Sequence, residues 1–297
     1  MNHIPVLKDE SIDGLAIESG DIIIDGTLGG GGHTSEMIKR HGASIKIIGL
    51  DLDSDALART KELIGKSPND FEFINAGFQD IDKVLKDLNI EKVDGILLDL
   101  GISSFQLEVA GRGFSFLKDE PLLMTMKKNP TDEDLTAKDI VNIWGEESIA
   151  NIIYGFGEEK YSRKIAKKIV EARIEKEIVT TFDLVKIIDE AVGKNYIGMR
   201  IHPATRTFQA LRIATNSELS NLEQVIEKGF NCLKIGGRMS VITFHSLEDR
   251  IVKRAFVALR EGGKALIINK KPIIPQESEL KINPRSRSAK LRLLEKI

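Results

Sequence analysis

Four short apolar runs in the first third of the chain, each trailed by a segment of helical character, restrict the fold more than any other feature. The runs are 21–25, 45–50, 71–74 and 93–98, and the helical segments begin near Thr34 or span 54–64 and 80–88. Such alternation predicts a parallel α/β sheet. The runs are near-continuous Ile and Leu, not apolar–polar alternations, so these strands should be buried on both faces.

Between 106 and 205 the strand-like runs stop. Thr131 with Asp134, Thr136 with Asp139 and Thr180 with Asp183 match the capping-box spacing that opens helices, so this stretch reads as a helical insertion. Strand–helix alternation then returns. A helix is expected over 216–233, a turn at Gly236-Gly237, a strand over 238–243, and a helix from Leu247 capped by Ser246 with Asp249 reciprocating. Late strands are expected over 265–269 and 291–294. Segments 1–105 and 206–297 are therefore assigned to one α/β domain, interrupted by a helical domain at 106–205, and 297 residues suffice for both.

A formal net charge of −2 excludes a globally basic nucleic-acid binder but not a basic face. Cys232 is the sole cysteine, which rules out an intrachain disulfide and a cysteine zinc site and fits a reducing cytoplasm. Residues 1–8 lack the pattern of a signal peptide. The longest apolar runs are strand-sized and too short to span a bilayer, so no membrane partner is expected.

The segment Asp25-Gly26-Thr27-Leu28-Gly29-Gly30-Gly31-Gly32-His33 joins the first strand to the first helix. Glycines there let the backbone turn tightly and approach a ligand closely. The dinucleotide spacing G-x-G-x-x-G fails, because Thr34 stands where its third glycine would be. An acidic strand end followed by glycines four and six positions on is the methyltransferase pattern, and an acid near the loop suits the cationic part of S-adenosyl-L-methionine. Asp51 ends the second strand, where a carboxylate can accept from ribose hydroxyls, with Asp53 as the neighbouring alternative. Phe78 follows the third strand and could pack on adenine, and Asp99 ends the fourth, beside the expected donor. Each has a plainer reading: a structural turn, a helix cap, a core ring. Spacing alone leaves a methyl donor and NAD both open.

Seven further blocks carry a resemblance. They are 3–7, 25–33, Leu98 to Ser104 with Gln106-Leu107, 112–116, 202–206 through 208–212, 244–250, and 283–288. Running in family order from end to end, they make the chain similar to the RsmH (MraW) family, methyltransferases of cytosine N4 in small-subunit ribosomal RNA. The resemblance implies a class I, Rossmann-like S-adenosylmethionine-dependent sheet with an inserted all-helical, substrate-recognition domain. It places donor binding on Gly31, Gly32, His33, Asp51, Phe78, Asp99 and Gln106. It implies 16S ribosomal RNA within the small subunit as partner, not DNA, and leaves a homodimer open. After Phe116 the chain departs from the family pattern. It reads Asp119-Glu120-Pro121-Leu122-Leu123-Met124-Thr125-Met126, lacking an aspartate and an arginine usual there.

Cytosine N4 is a poor nucleophile, so the enzyme implied must chiefly hold it in line with the methyl and bond its hydrogens as charge develops. No metal is required. Asp99, the Leu100 carbonyl, Ser103 and Ser104 are candidate acceptors. Phe244 could stack on an extruded base and His245 relay a proton, although Phe244 as core and Ser246 as a cap are the plainer readings. Basic groups that could hold RNA phosphates are Arg163, Lys164, Lys167, Lys168 and Arg173; Arg200, Arg206 and Arg212; and Arg285, Arg287, Lys290 and Arg292. Two rivals remain: an NAD-dependent oxidoreductase, disfavoured by the missing third glycine, and a non-catalytic RNA-binding protein, disfavoured by the complete loop.

Overall fold

The computed structural model describes residues 4–65, 70–199 and 201–297. The chain divides into two compact units, Met1–Gly101 with Leu219–Ile297, and Ile102–Glu218.

In the first unit, β1 (Ile22–Asp25), β2 (Lys46–Leu50), β3 (Asp70–Ile74), β4 (Val93–Asp99), β5 (Leu233–Thr243), β6 (Ala265–Ile267) and β7 (Lys290–Lys296) form one sheet. Its order is β3-β2-β1-β4-β5-β7-β6, with β1 to β5 parallel to one another and β7 antiparallel to both β5 and β6. The helices of this unit are α1 (Lys8–Asp13), α2 (Gly32–His41), α3 (Ser54–Ile64) and α4 (Ile81–Asp87) in its first segment.

Side chains alternate across a strand, and here both faces are covered. Ile23, Ile47 and Leu97 join Ile12 and Met37 in one buried cluster, while Ile24, Ile48, Ile96 and Leu98 join Leu85, Phe230 and Phe256 in another. Two covered faces account for the uninterrupted Ile and Leu of the strands.

The second unit holds α5 (Ser104–Glu108), α6 (Ala137–Ile143), α7 (Glu146–Gly157), α8 (Ser162–Glu175), α9 (Thr181–Val192) and α10 (Ala204–Asn216). Ile140, Ile153, Ile165, Leu184, Phe208 and Leu211 share its core. The first unit resumes with α11 (Glu218–Cys232), followed by α12 (Ser246–Glu261) and α13 (Glu277–Ile282). Among the described residues no helix is long and apolar enough to cross a membrane.

Four expectations change. The sheet resumes at Leu219 rather than 206, because α10 buries Ala204, Phe208, Ala210 and Leu211 in the helical core. The helical unit also begins earlier than 106, since Ile102 packs on that core. Thr136–Asp139 and Thr180–Asp183 form capping boxes, but Thr131–Asp134 closes a turn whose carboxylate pairs with Lys127, and no helix follows until Ala137. Gly236-Gly237 lies within β5, where pairing jumps from Val93↔Leu233 to Gly95↔Arg238 and Gly236 takes φ +83°.

The last residue of α7, Gly157, sits so close to α10 that a Cβ would lie 2.5 Å from the Arg206 carbonyl oxygen. Backbone cannot yield there as a side chain would. Gly157→Ala should lower stability by about 1–3 kcal/mol, measured by urea unfolding monitored at Trp144 in the same unit.

Candidate functional site

The ends of β1, β2 and β4 bring Asp25, Asp51 and Asp99 to one edge of the sheet, where an open α/β sheet holds its ligand. The loop between β1 and α2 wraps this edge. Gly29 and Gly31 adopt φ +51° and +72°, conformations favouring glycine. A Cβ on Gly31 would lie 2.5 Å from Thr60 Cγ2, and one on Gly32 2.3 Å from Pro5 Cγ. These two glycines are thus required by packing inside the protein. Helix α2 starts at Gly32, two residues before the expected Thr34, because Thr34 is turned inward: its hydroxyl donates to Asp25 Oδ2 at 2.6 Å.

Asp51 braces the loop. Its Oδ2 accepts from the Gly29 N–H at 2.8 Å and its Oδ1 from the Asp53 N–H at 2.8 Å. Each oxygen keeps a second lone pair for a ligand. Asp53 is the N-cap of α3, accepting from the Asp55 N–H at 3.0 Å, so the plainer reading holds for it. The half-buried Phe78 has its Cβ 3.4 Å from the place a Gly26 Cβ would take, at the end of β1, and also packs against the core.

Asp99 is placed by the Thr27 hydroxyl, which accepts its N–H at 2.6 Å. Its side chain is 16% exposed, yet Oδ1 is itself buried and has no hydrogen-bond partner. Oδ2 stands 3.7 Å from His33 Nδ1, while His33 Nε2 is 3.1 Å from the Val6 carbonyl oxygen. That carbonyl only accepts, so Nε2 carries a proton. The His33 ring thus spans the Val6 carbonyl and the Asp99 carboxylate.

Burial pushes Asp99 well above the usual carboxylate range, and Asp25, Glu248 and Glu279 add like charge. Burial likewise raises Asp25 and Asp51 to about 6 despite their hydrogen bonds. The edge is a desolvated acidic cluster with an unpartnered acceptor, which suits a cation.

Sequence reasoning did not single out Glu248 or Glu279. Glu248 Oε2 accepts from the Phe244 and His245 N–H groups at 2.8 and 3.2 Å, and its own N–H donates to His245 Nδ1 at 3.3 Å. His245, not Ser246, is therefore the N-cap of α12, and Glu248, not Asp249, reciprocates. The i to i+3 spacing was legible, but histidine is an uncommon cap. His245 Nε2 lies 3.2 Å from Glu248 Oε1 without hydrogen-bond geometry. Asp249 instead takes Lys290 Nζ at 3.0 Å and Arg292 Nε at 2.7 Å. Glu279 has no local signal: it accepts from the Leu7 N–H, 272 residues away, at 2.9 Å. Phe244 packs partly against Ile242 and Leu291, and its ring lies 3.5 Å from where a Gly101 Cβ would stand.

Most of the remaining candidates lie in the helical unit. Ser103 caps α5, its Oγ accepting from the Gln106 N–H at 3.1 Å, and Gln106 Oε1 accepts from the Ser103 N–H at 2.9 Å. Gln106 is buried, and Ser104 opens the helix. Arg206 donates to the Glu158 carbonyl at 3.1 Å. Arg173 donates to the Val141 and Trp144 carbonyls that end α6, and Arg212 forms a two-pronged pair with Glu218 at 2.8 Å, so both serve structure. Arg285 and Arg287 are exposed in the first unit. Arg200 and His3 lie outside the described residues.

A sheet with its seventh strand reversed between the fifth and sixth, and a glycine loop over strand-end carboxylates, defines a class I S-adenosylmethionine-dependent methyltransferase. The chain belongs to the MraW methylase family, whose profile matches residues 1–297. It is similar to "Ribosomal RNA small subunit methyltransferase H" of Acetivibrio thermocellus, 49% identical over 99% of each chain. The protein of the same name from Clostridium botulinum (strain Kyoto) is 46% identical, again over 99% of each chain. That from Trichodesmium erythraeum is 46% identical over 100% of each.

The residues at this edge fit the donor, because the orphaned Asp99 Oδ1 and the surrounding acids suit its positive charge. Asp25 and Asp51 both have folded-state values above the ordinary 3.8. The stability they contribute is complete below about 4 and lost as pH rises through about 6. A cationic ligand offsets that loss. S-adenosylmethionine should therefore raise the melting temperature more at pH 7.5 than at pH 5, and Asp51→Asn should shrink the difference, as read by thermal shift.

Proposed function

We propose that this chain transfers a methyl group from S-adenosylmethionine to the exocyclic N4 of a cytosine in the decoding region of 16S ribosomal RNA. The observation that carries the chemistry is Asp99: a buried carboxylate oxygen without a partner, at the end of β4, among other acids. The substrate rests on the relatives' printed name and on the sequence blocks shared with the cytosine-N4 family.

The donor supplies an electrophilic methyl on a sulfonium. The protein's work is to bind, orient and exclude water. Gly31, Gly32 and His33 shape the loop, Asp51 addresses the ribose hydroxyls, Phe78 addresses adenine, and Gln106 is assigned to the donor by family resemblance. Asp99 is the candidate catalytic residue, its free oxygen able to accept from an amino group as charge develops there. Ser103 and Ser104 are assigned to the base, although the Ser103 hydroxyl already accepts a helix hydrogen bond. Phe244 is assigned to base stacking. His245 is assigned to the substrate as a fixed acceptor or donor; its capping role disfavours a free proton relay.

The helical unit is proposed to recognise the RNA. Of its basic groups, Arg163 and Lys164 are exposed, whereas Lys167 and Lys168 face Glu171. Arg206 completes that assignment. In the first unit Arg285 and Arg287 are assigned to phosphates.

Small ribosomal subunits from a strain lacking the enzyme, incubated with labelled donor, should take up methyl and yield N4-methylcytidine on digestion. Label on carbon 5 alone would refute the position. Arg285→Ala should weaken RNA binding and flatten its salt dependence while donor affinity stays unchanged, measured by filter binding and calorimetry. Equal loss of both ligands would instead mark misfolding.

A further inference from the structure

Between α12 and the β6–β7 edge lies a cavity of about 230 Å³, lined in part by Lys253, Arg260, Lys270 and Arg292 over Phe256 and Ile267. No acidic side chain lines it. We propose that this cavity is a second, separate binding site, taking the phosphoryl group of a nucleotide, with the apolar floor receiving the attached sugar or base.

Arg292 is the strongest sign. Its side chain is only 9% exposed, and Nε is held by Asp249 at 2.7 Å. Among the described residues nothing is seen to accept from its two terminal nitrogens. A buried guanidinium with one edge anchored and the other open is a preformed anion fork, because the anchoring bond fixes its plane before any ligand arrives. Lys253 and Lys270 are exposed at the rim and have no ion pair among the described residues. Arg260 adds a fourth cation, partly engaged by Glu261 at 3.4 Å.

The surrounding chain shows the same bias. Residues 250–292 contain twelve Lys and Arg against Glu261, Glu277 and Glu279, in a protein whose net charge is −2. An excess of cations favours phosphates, and the four that line the cavity give one a fixed seat. It lies on the reversed-strand side of the sheet, across β5 from the β4 end that carries Asp99, so both sites can be filled together.

A phosphoryl group reaches this seat either on a free nucleotide or on an RNA strand; the second source rests on the RNA reading above. Binding of inorganic phosphate and of adenosine 5′-monophosphate is measured by calorimetry with saturating S-adenosylhomocysteine, and binding of a single-stranded oligoribonucleotide by anisotropy. The parent protein is compared with Lys253→Glu/Lys270→Glu and Lys253→Arg/Lys270→Arg. The reversal should weaken the bound probe about tenfold or more, the arginine pair should match the parent, and S-adenosylhomocysteine affinity should stay constant. A loss confined to the monophosphate assigns the site to free nucleotides. A loss on the oligonucleotide, with its salt slope reduced by about 1 to 2, assigns it to RNA. Unchanged affinity of every probe in the reversal, or no saturable binding by the parent, overturns the proposal. Failure of S-adenosylhomocysteine to bind the parent would count against the methyltransferase site instead and leaves the phosphate titrations to be read without it.

Discussion

The desolvation of carboxylates at one sheet edge governs the rest of this structure. Asp25, Asp51 and Asp99 end three adjacent strands, so parallel pairing alone forces them together. Several hydrogen bonds and one facing imidazole reduce the cost. Thr34 and Thr27 bond Asp25, two backbone N–H groups bond Asp51, and His33 faces Asp99. The compensation is incomplete at Asp99, whose Oδ1 stays buried without a partner. The loop's shape follows: its glycines bend the backbone so that Gly29 can reach Asp51, while Thr60 and Pro5 fill the space their missing side chains leave.

Much of this was legible beforehand because the signals are local. Strand runs of Ile and Leu report two covered faces. The loop lies in one continuous segment, and Asp51, Phe78 and Asp99 stand at or shortly after strand ends. The capping boxes at Thr136 and Thr180 were readable for the same reason. What escaped was non-local. Nothing near Glu279 shows that it will meet Leu7, and nothing near Thr131 shows that Lys127 will hold Asp134 in a turn. The boundary near 206 was misplaced because a helix's sequence does not say which core it will join, and α10 joins the helical one.

Charge counting was the least reliable guide. Basic residues that look alike in sequence have different duties. Arg173 ends α6, Arg212 holds a buried glutamate, and Lys290 shares Asp249 with Arg292. Only the pattern of partners separates these from the open edge of Arg292. A buried arginine paired on one side is both a structural element and a receptor for an anion, and neither role is visible without the fold.

The segment Ile4–Leu7 is fastened over the glycine loop by contacts both near and far in sequence. Pro5 lies against Gly32, the Val6 carbonyl meets His33, Asn283 Nδ2 donates to the Ile4 carbonyl at 3.1 Å, and Leu7 is fully buried in a left-handed conformation with its N–H on Glu279. The hydrogen bonds from Glu279 and Asn283 join residues 272 and 279 positions apart. Closing such a span carries a large chain-entropy cost, so this half of the fastening forms only when distant parts of the chain have met. The cover over the glycine loop is therefore a property of the whole sheet domain rather than of the loop's own neighbourhood.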